Sequence, residues 1–497
     1  MIVNQGAGTL QPPASEGLKL HRGRSFSSRI ASTILYAALA GPPLLFGSSD
    51  VAIIAIWCAL LGVGLIFAST RRLQAGHVLI LAGVGFVGLC FGLVLHEQLS
   101  VRPWVAPFNP IWAKVSGVLS RPLLPSASIV RGEPAFALGR PLANVLALVL
   151  GLVIGVNTDR ARYALSVMAW SGVAYAIYGM VMLALDPTMI LWREKTAYIG
   201  SLTATFINRN TAGAYFGSCS AVWLILLMNA IRRTLPRGAI EWREVMPLLL
   251  RERQKEVLVR LVMLFICLSG MFLTNSRGGV LVSLGAMVVS FLVYFVRDMP
   301  RGPRLAAAVL GSVGTALFLL ESFGSGVTSR IDLQGLSDAG RLSAYQSTLR
   351  IIADNAWFGT GLGTFAYSFP AYRSGDLSMQ GIWNLAHSTP LELASEMGVP
   401  LAIVVAVAWI AALVILWFGS RGQRRLRVVP LSALTVSLIA LLHSCIDFSL
   451  QIAGYSIVVF ALLGLGLSQA VLGRRGRADV LGSASPREPV SIPDRLA

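Results

Sequence analysis

The sequence predicts an all-α polytopic membrane protein of about twelve transmembrane helices, with one large, partly helical loop on its outer face. Three observations carry this. Of 497 residues, 55% are hydrophobic and only 13% charged, and the mean hydropathy is +0.69. A soluble globular chain carries about 25% charged residues. Apolar runs of roughly 18 residues or more, each long enough to cross a bilayer, recur along most of the chain. Basic residues collect in alternate turns between those runs.

In chain order, residues 1–29 are polar, basic and contain Pro and Gly, and no small-residue cleavage pattern closely follows the first apolar run. They read as a disordered cytosolic tail rather than a cleaved signal. Nine apolar segments occupy 30–323, at about 30–48, 51–70, 77–95, 141–158, 163–185, 211–231, 258–273, 279–296 and 305–323. Gly41-Pro42-Pro43 predicts a kink or break in the first. Outer loops are expected at 96–140 and 186–210, and the largest at 324–398. Three further spans, at about 399–419, 429–446 and 452–472, lead to a second disordered cytosolic tail over 473–497.

With the amino terminus in the cytosol, the even-numbered turns face the cytosol too. Arg71, Arg72, Arg160, Arg162, the 232–260 segment, Arg297, Arg301, Arg304, Arg421, Arg424, Arg425, Arg427 and both tails then hold most of the 41 Lys and Arg. This is the positive-inside pattern with consistent parity. The net charge of +18 is therefore a topology signal. It implies no nucleic-acid partner, and it attracts anionic membrane lipids at the inner leaflet. Cys58, Cys90, Cys219 and Cys267 fall in apolar spans and Cys445 near the end of one, without metal spacing; all five read as small apolar fillers.

The polar signal concentrates on the outer face. LTNSRGG (273–279) carries one arginine, Arg277, and no acid, and parity places it outside, where a positive-inside anchor is least expected. Arg209, between Asn208 and Asn210, sits at the lip of the sixth span. A charge within a span costs about 2.5–3.5 kcal/mol on insertion scales, so an arginine at a span edge calls for a partner. In 329–373, Arg341, Tyr345 and Thr348 share one face of a predicted helix ending near Asn355, with Leu342, Leu349, Ile352 and Ala353 as its apolar face. FGTGLGTF (358–365) brings Gly359, Gly361 and Gly363 into a tight turn, which is either plain loop or a nest that holds an anion. No GK[ST] follows, so it is not a P-loop.

His387 precedes Ser388 and Pro390, a helix-start pattern. A neutral histidine at a helix N-terminus can accept a proton, because the dipole disfavours the imidazolium; the alternative is a histidine that only caps. Glu392 and Glu396 follow four apart, with no HExxH and no metal set. His443 and Asp447, also four apart, are expected to pair.

Five stretches, taken in order, resemble the O-antigen ligase and polysaccharide polymerase superfamily of bacterial inner-membrane proteins. They are FINRN (206–210), TNSRGG (274–279), GRLSAYQ with NAWFGTGLGTF (340–365), HSTPLELASEMGVP (387–400) and HSCIDFSL (443–450), and the likeness covers roughly 140–472. Ser388 departs from it, where the family often has asparagine, as does Tyr345, where tryptophan or a related aromatic is common. The resemblance implies a multi-pass inner-membrane enzyme acting on the periplasmic side. It would transfer glycan from an undecaprenyl-diphosphate-linked donor to a sugar hydroxyl, with inversion and without metal or cofactor. The acceptor would be a growing glycan in a polymerase of surface or exopolysaccharide, the first reading, or lipid A–core in a ligase. Polysaccharide export machinery is a further implied partner.

On that reading His387, Arg277 and Arg341 are catalytic. Arg209, Asn208, Asn210, Gly359, Gly361, Gly363 and Glu392 bind substrate. Glu392 or Asp354 would orient the histidine, and Trp104, Tyr367 and Trp383 would stack on sugars. A secondary transporter is the alternative from a different class. It suits twelve spans, but few ionisable residues lie deep in any of them.

Overall fold

A computed structural model describes residues 14–234, 254–295, 303–324, 339–375, 377, 383–422 and 426–482. These residues are mostly helical, with non-helical connections of which the longest are 100–110, 120–132 and 186–208, and one two-stranded antiparallel pairing, Met189–Ile190 with Arg193–Glu194. The helices are α1 (Ala14–Ala40), α2 (Val51–Ile66), α3 (Ala75–Leu99), α4 (Ile111–Leu119), α5 (Glu133–Ala137), α6 (Gly139–Ile154), α7 (Thr158–Leu185) and α8 (Arg209–Thr234). There follow α9 (Gln254–Leu273), α10 (Arg277–Phe295), α11 (Pro303–Phe323), α12 (Ala339–Asp354), α13 (Phe365–Tyr372), α14 (Thr389–Met397), α15 (Val399–Ser420), α16 (Val428–Ser444) and α17 (Ala453–Gly482).

Eight helices among the described residues are long and apolar enough to cross a membrane, not about twelve. They are α3, the continuous Glu133–Ile154 stretch of α5 and α6, α7, α8, α9, α10, α15 and α17. The other four expected spans are helical as well, without an apolar helix of that length among the described residues. The apolar stretches Val51–Ile66, Ala306–Ser322 and Val428–Ser444 are each below that length. The first span stops at Ala40, where Gly41 caps back onto Ala37 and Pro42-Pro43 cannot continue the ladder. The chain is thus a multi-pass, all-α membrane protein.

Two helices form the centre. The apolar windows of α8 and α17 are 78% and 83% buried, against 0% for α3 and 11% for α15, whose apolar side chains point outward. Small residues bring the central helices together, as they do where lipid supplies no drive for helix association. A Cβ at Gly217 of α8 would collide with Ser283 of α10, and one at Gly151 of α6 with the Ala461 carbonyl of α17.

The segment 324–398 is not an extended loop where it is described. It forms α12, α13 and α14 around a small apolar cluster of its own, which includes Ala344, Ile351, Phe365, Phe369 and Ala386. The face α12 buries is not the expected one. Leu342 and Leu349 are more than half exposed, while Ala344, Ser347, Thr348 and Ile351 are buried. Small side chains, rather than the leucines, let α12 lie close against α14.

α1 takes in residues 14–29 of one expected tail, and α17 runs to Gly482 in the other. The rest of both tails, 1–13 and 483–497, lies outside the described residues, as do 235–253 of the basic cytosolic segment and 325–338 of the expected large loop.

Candidate functional site

The five stretches singled out in the sequence converge at one end of the bundle, and Asp447 is the hub. It follows α16 and is 1% exposed. Its Oδ2 accepts from Asn210 Nδ2 at 2.7 Å and from Arg341 NH2 at 3.1 Å, and its Oδ1 accepts from the Phe448 amide at 2.8 Å. Arg341 also donates NH1 to the Ile446 carbonyl at 2.8 Å. One carboxylate thereby ties α12 to the start of α8 and to the turn after α16. His443, the expected partner of Asp447, instead places Nδ1 2.8 Å from Ser449 Oγ.

The start of α8 is built for this role. Asn208 Oδ1 accepts from the Asn210 and Thr211 amides, an Asx cap on the first helical turn. The cap aims Asn210 inward. Arg209 lies over the Tyr198 ring, 4.8 Å from its centroid, and donates NH1 to Ser201 Oγ at 3.3 Å. The same Ser201 Oγ accepts from Asn275 Nδ2 at 3.3 Å, and the Leu202 amide bonds the Leu273 carbonyl. The 201–209 segment and the turn before α10 therefore run side by side.

Arg277 opens α10 at half-buried depth. Its neighbour Gly278 faces the 443–447 turn: a Cβ there would stand 2.7 Å from Ile446 and 3.5 Å from the His443 ring. At Gly279 a Cβ would stand 3.1 Å from the Gly213 backbone, closer than side chains ordinarily pack. The glycines after Arg277 thus let α10 start directly against α8 and α16.

His387 adopts φ +54°, the left-handed region that L residues rarely occupy. Ser388 caps α14 by position, without a side-chain hydrogen bond, and Pro390 lies inside the first turn. Tyr345 OH donates to the His387 carbonyl at 3.0 Å. The imidazole packs edge-on between Phe448 and Trp383, with centroids 4.9 and 5.2 Å away. His387 is therefore joined to Arg341 through Tyr345 on α12 and through the Ile446–Phe448 turn.

Glu392 and the glycines stand behind this cluster. Glu392 Oε2 accepts from the Ala386 amide at 2.6 Å, so it holds the backbone before His387 rather than its ring. Asp354 does not reach the histidine either; it accepts from Tyr372 OH at 2.9 Å. The glycine turn does form a nest, and the protein fills it itself. Glu396 accepts from the Gly363 and Phe365 amides, each at 2.9 Å. The Thr360 and Gly361 amides bond the Ser395 and Glu396 carbonyls. A Cβ at Gly359 would strike the Glu396 backbone, and one at Gly361 would strike Ser128. These glycines pack the loop onto α14.

Burial raises the pKa of both Glu392 and Glu396. The charge of Glu396 lifts Glu392 further, while backbone amides and Arg140 pull both partly back. Of the expected sugar-stacking aromatics, only Trp383 touches the cluster. Trp104 stacks on His96, with ring centroids 4.1 Å apart, and Tyr367 is exposed on α13.

Residues 262–406 match the O-antigen ligase family, Wzy_C. The match runs from α9 into α15. It takes in Arg277, Arg341, His387, Glu392 and the three glycines, and leaves Arg209, Asn210 and Asp447 outside. No curated protein matches the chain. This part of the protein is similar to O-antigen ligases.

Asp447 is the residue that sequence reasoning placed wrongly. It is the one acidic residue between 428 and 472. An acid alone between two apolar runs calls for a cationic or amide partner, and that signal pointed beyond the nearby histidine.

Proposed function

We propose that the protein transfers a glycan from a lipid-diphosphate donor, an undecaprenyl-diphosphate-linked glycan, to a sugar hydroxyl at the outer face of the bacterial inner membrane. The observation that carries this reading is the convergence, at one end of an apolar bundle, of Arg209, Arg277, Arg341 and His387. Three of the four lie within the segment similar to O-antigen ligases.

The chemistry follows from the leaving group. The acceptor oxygen bonds to the donor's anomeric carbon from the face opposite the diphosphate, which inverts that centre. The carbon–oxygen bond to the diphosphate breaks, and the electron pair departs with the lipid diphosphate. Arginines suit that developing charge, because their planar forks match phosphate oxygens and stay protonated. Arg277 and Arg209, at the starts of spanning helices, would meet a diphosphate whose lipid lies in the bilayer. Arg341, oriented by Asp447, would complete the set. Fixed cations aimed at that charge would supply the main catalytic effect. His387 would align the acceptor hydroxyl and take its proton. Its left-handed backbone, held by Tyr345 and backed by Glu392, would set the direction of the ring.

The transport alternative gains little support. Among the described residues the buried acids and arginines, Glu97, Arg232, Glu392, Glu396, Arg427 and Asp447, sit at helix ends, in short α14 or in turns. A midplane site would place such groups mid-span.

The acceptor is read first as a second lipid-linked repeat, so that the product is a lengthening polysaccharide. The description of the matched family favours the other reading, lipid A–core. Deletion of the gene, with separate analysis of lipopolysaccharide, secreted polysaccharide and lipid-linked intermediates, tests both. Accumulation of single lipid-linked repeats supports polymerisation and rejects ligation. Retention of long lipid-linked chains, with none on lipid A–core, does the reverse. Unchanged glycans in all three fractions reject glycan transfer.

A further inference from the structure

At the opposite end of the bundle from Asp447, Arg427 raises a separate question. It is the N-cap of α16 and is 5% exposed. Its guanidinium lies over the ring of Tyr294, at the end of α10, with Cζ 3.9 Å from the centroid. Tyr294 is itself buried. The ring face satisfies one side of the cation, but Nε and NH2 are buried and have no hydrogen-bond partner among the described residues. A buried charge in this condition is costly unless something compensates it.

The helix makes the imbalance larger. A helix N-terminus carries partial positive charge, so it disfavours a cation and favours an anion. Among the described residues no side chain caps α16, and its first residues, Val428, Val429 and Pro430, are buried. Two more cations lie near this end. Arg232, also buried, belongs to the last turn of α8, which packs on α16. Arg421 stacks on Trp417 at the end of α15, 4.0 Å from its centroid. Where α10 packs on α16 there are thus, among the described residues, a guanidinium edge without a hydrogen-bond partner and an uncapped helix start, both positive and both buried.

We propose that Arg427 and the N-terminus of α16 form a binding site for a phosphate group, supplied by the headgroup of an anionic phospholipid. The guanidinium fork presents Nε and NH2 together, the edge that fits two phosphate oxygens, and the first-turn amides of α16 take a third. Arginines between spanning helices at the basic end of a membrane protein lie at headgroup depth. The site is independent of the glycan chemistry at the other end.

The test uses the full-length protein purified in a neutral detergent. Its thermal midpoint is followed while short-chain phosphatidylglycerol, inorganic phosphate or short-chain phosphatidylcholine is added. Phosphatidylglycerol should raise the midpoint saturably, and phosphatidylcholine should raise it less. Arg427→Gln should weaken the apparent affinity for phosphatidylglycerol about tenfold, the loss expected for one charge-assisted contact. Arg427→Lys, which keeps the charge but loses the two-pronged edge, should fall between the unaltered protein and Arg427→Gln, and Arg421→Gln should retain all of it. A saturable effect of inorganic phosphate alone, lost in Arg427→Gln, would keep the phosphate site and overturn the lipid as its source. Binding in Arg427→Gln equal to that of the unaltered protein would overturn the site. Should that variant not fold, a photoactivatable phosphatidylglycerol on the unaltered protein decides. Labelling around Tyr294 or 427–431 supports the site, and labelling confined elsewhere overturns it.

Discussion

Asp447 has a heavier role than its position in a short turn suggests. It is buried and receives an arginine, an asparagine and a backbone amide at once. Removing the acid leaves Arg341 beside its former partner with a charge to solvate. Breaking one side of a buried pair typically costs about 3–5 kcal/mol. Arg341 keeps some exposure, so the low end of that range applies. Asp447→Ala should therefore destabilise the protein by about 3 kcal/mol, read as a lower thermal midpoint in detergent, and should reduce transfer sharply. Asp447→Asn should recover part of the stability while losing the ion pair.

Tyr345 offers a gentler probe. Its hydroxyl bonds the His387 carbonyl at 3.0 Å and approaches the Ile446 carbonyl at 3.4 Å. Tyr345→Phe removes about 1 kcal/mol of hydrogen bonding. It should lower the turnover rate more than it changes apparent substrate affinity, because it loosens the histidine's backbone and leaves the arginines in place. An unchanged rate would remove Tyr345 from the positioning of His387.

Among elements, α14 connects everything near the histidine. Its N-terminus presents His387, its carboxylates hold Ala386 and the glycine turn, and Gly398 links it to α15 at φ +86°. Gly359 has φ +67°, and a Cβ there would meet the Glu396 backbone, which cannot swing aside as a side chain can. Gly359→Ala should cost at least about 2 kcal/mol in thermal stability, whereas Gly375→Ala, where no atom of the described residues lies near, should be silent.

The paired acids add a pH dependence. Burial raises both above the ordinary value of 4.5, so the folded state binds more protons than the unfolded state. The pair's contribution to stability is then greatest at low pH and declines as pH rises above the ordinary carboxylate range, from about 5 to about 8. Glu392→Gln should flatten that decline in a series of thermal midpoints. A decline of unchanged slope would show that Glu392 does not contribute to it.

Over the whole molecule, legibility followed the range of the interaction. The helices were readable because long apolar runs declare themselves, though among the described residues eight, not twelve, are long and apolar enough to span. Arg209, Arg277, Arg341 and His387 were readable because each is a polar residue at the edge of an apolar run or a helix start. The glycine turn was readable as a nest but not by its occupant, since Glu396 lies 33 residues beyond Gly363. Asp447 was paired with His443 by helical spacing, while its actual partners lie 106 and 237 residues away. Local spacing carries no information about such contacts. The face of α12 was misjudged for a related reason: leucines mark an apolar stripe, but close approach to α14 selected small residues.

The central claim is that this end of the bundle moves a glycan from a lipid diphosphate to a hydroxyl, with His387 and Arg277 in the reaction. The most direct measurement uses proteoliposomes holding the purified full-length protein and an undecaprenyl-diphosphate-linked repeat, with transfer product and released lipid diphosphate quantified together. The unaltered protein should release one lipid diphosphate for each new glycosidic bond. His387→Ala and Arg277→Ala, reconstituted to the same level, should each lose at least about a hundredfold in rate. Full transfer by both variants would contradict it.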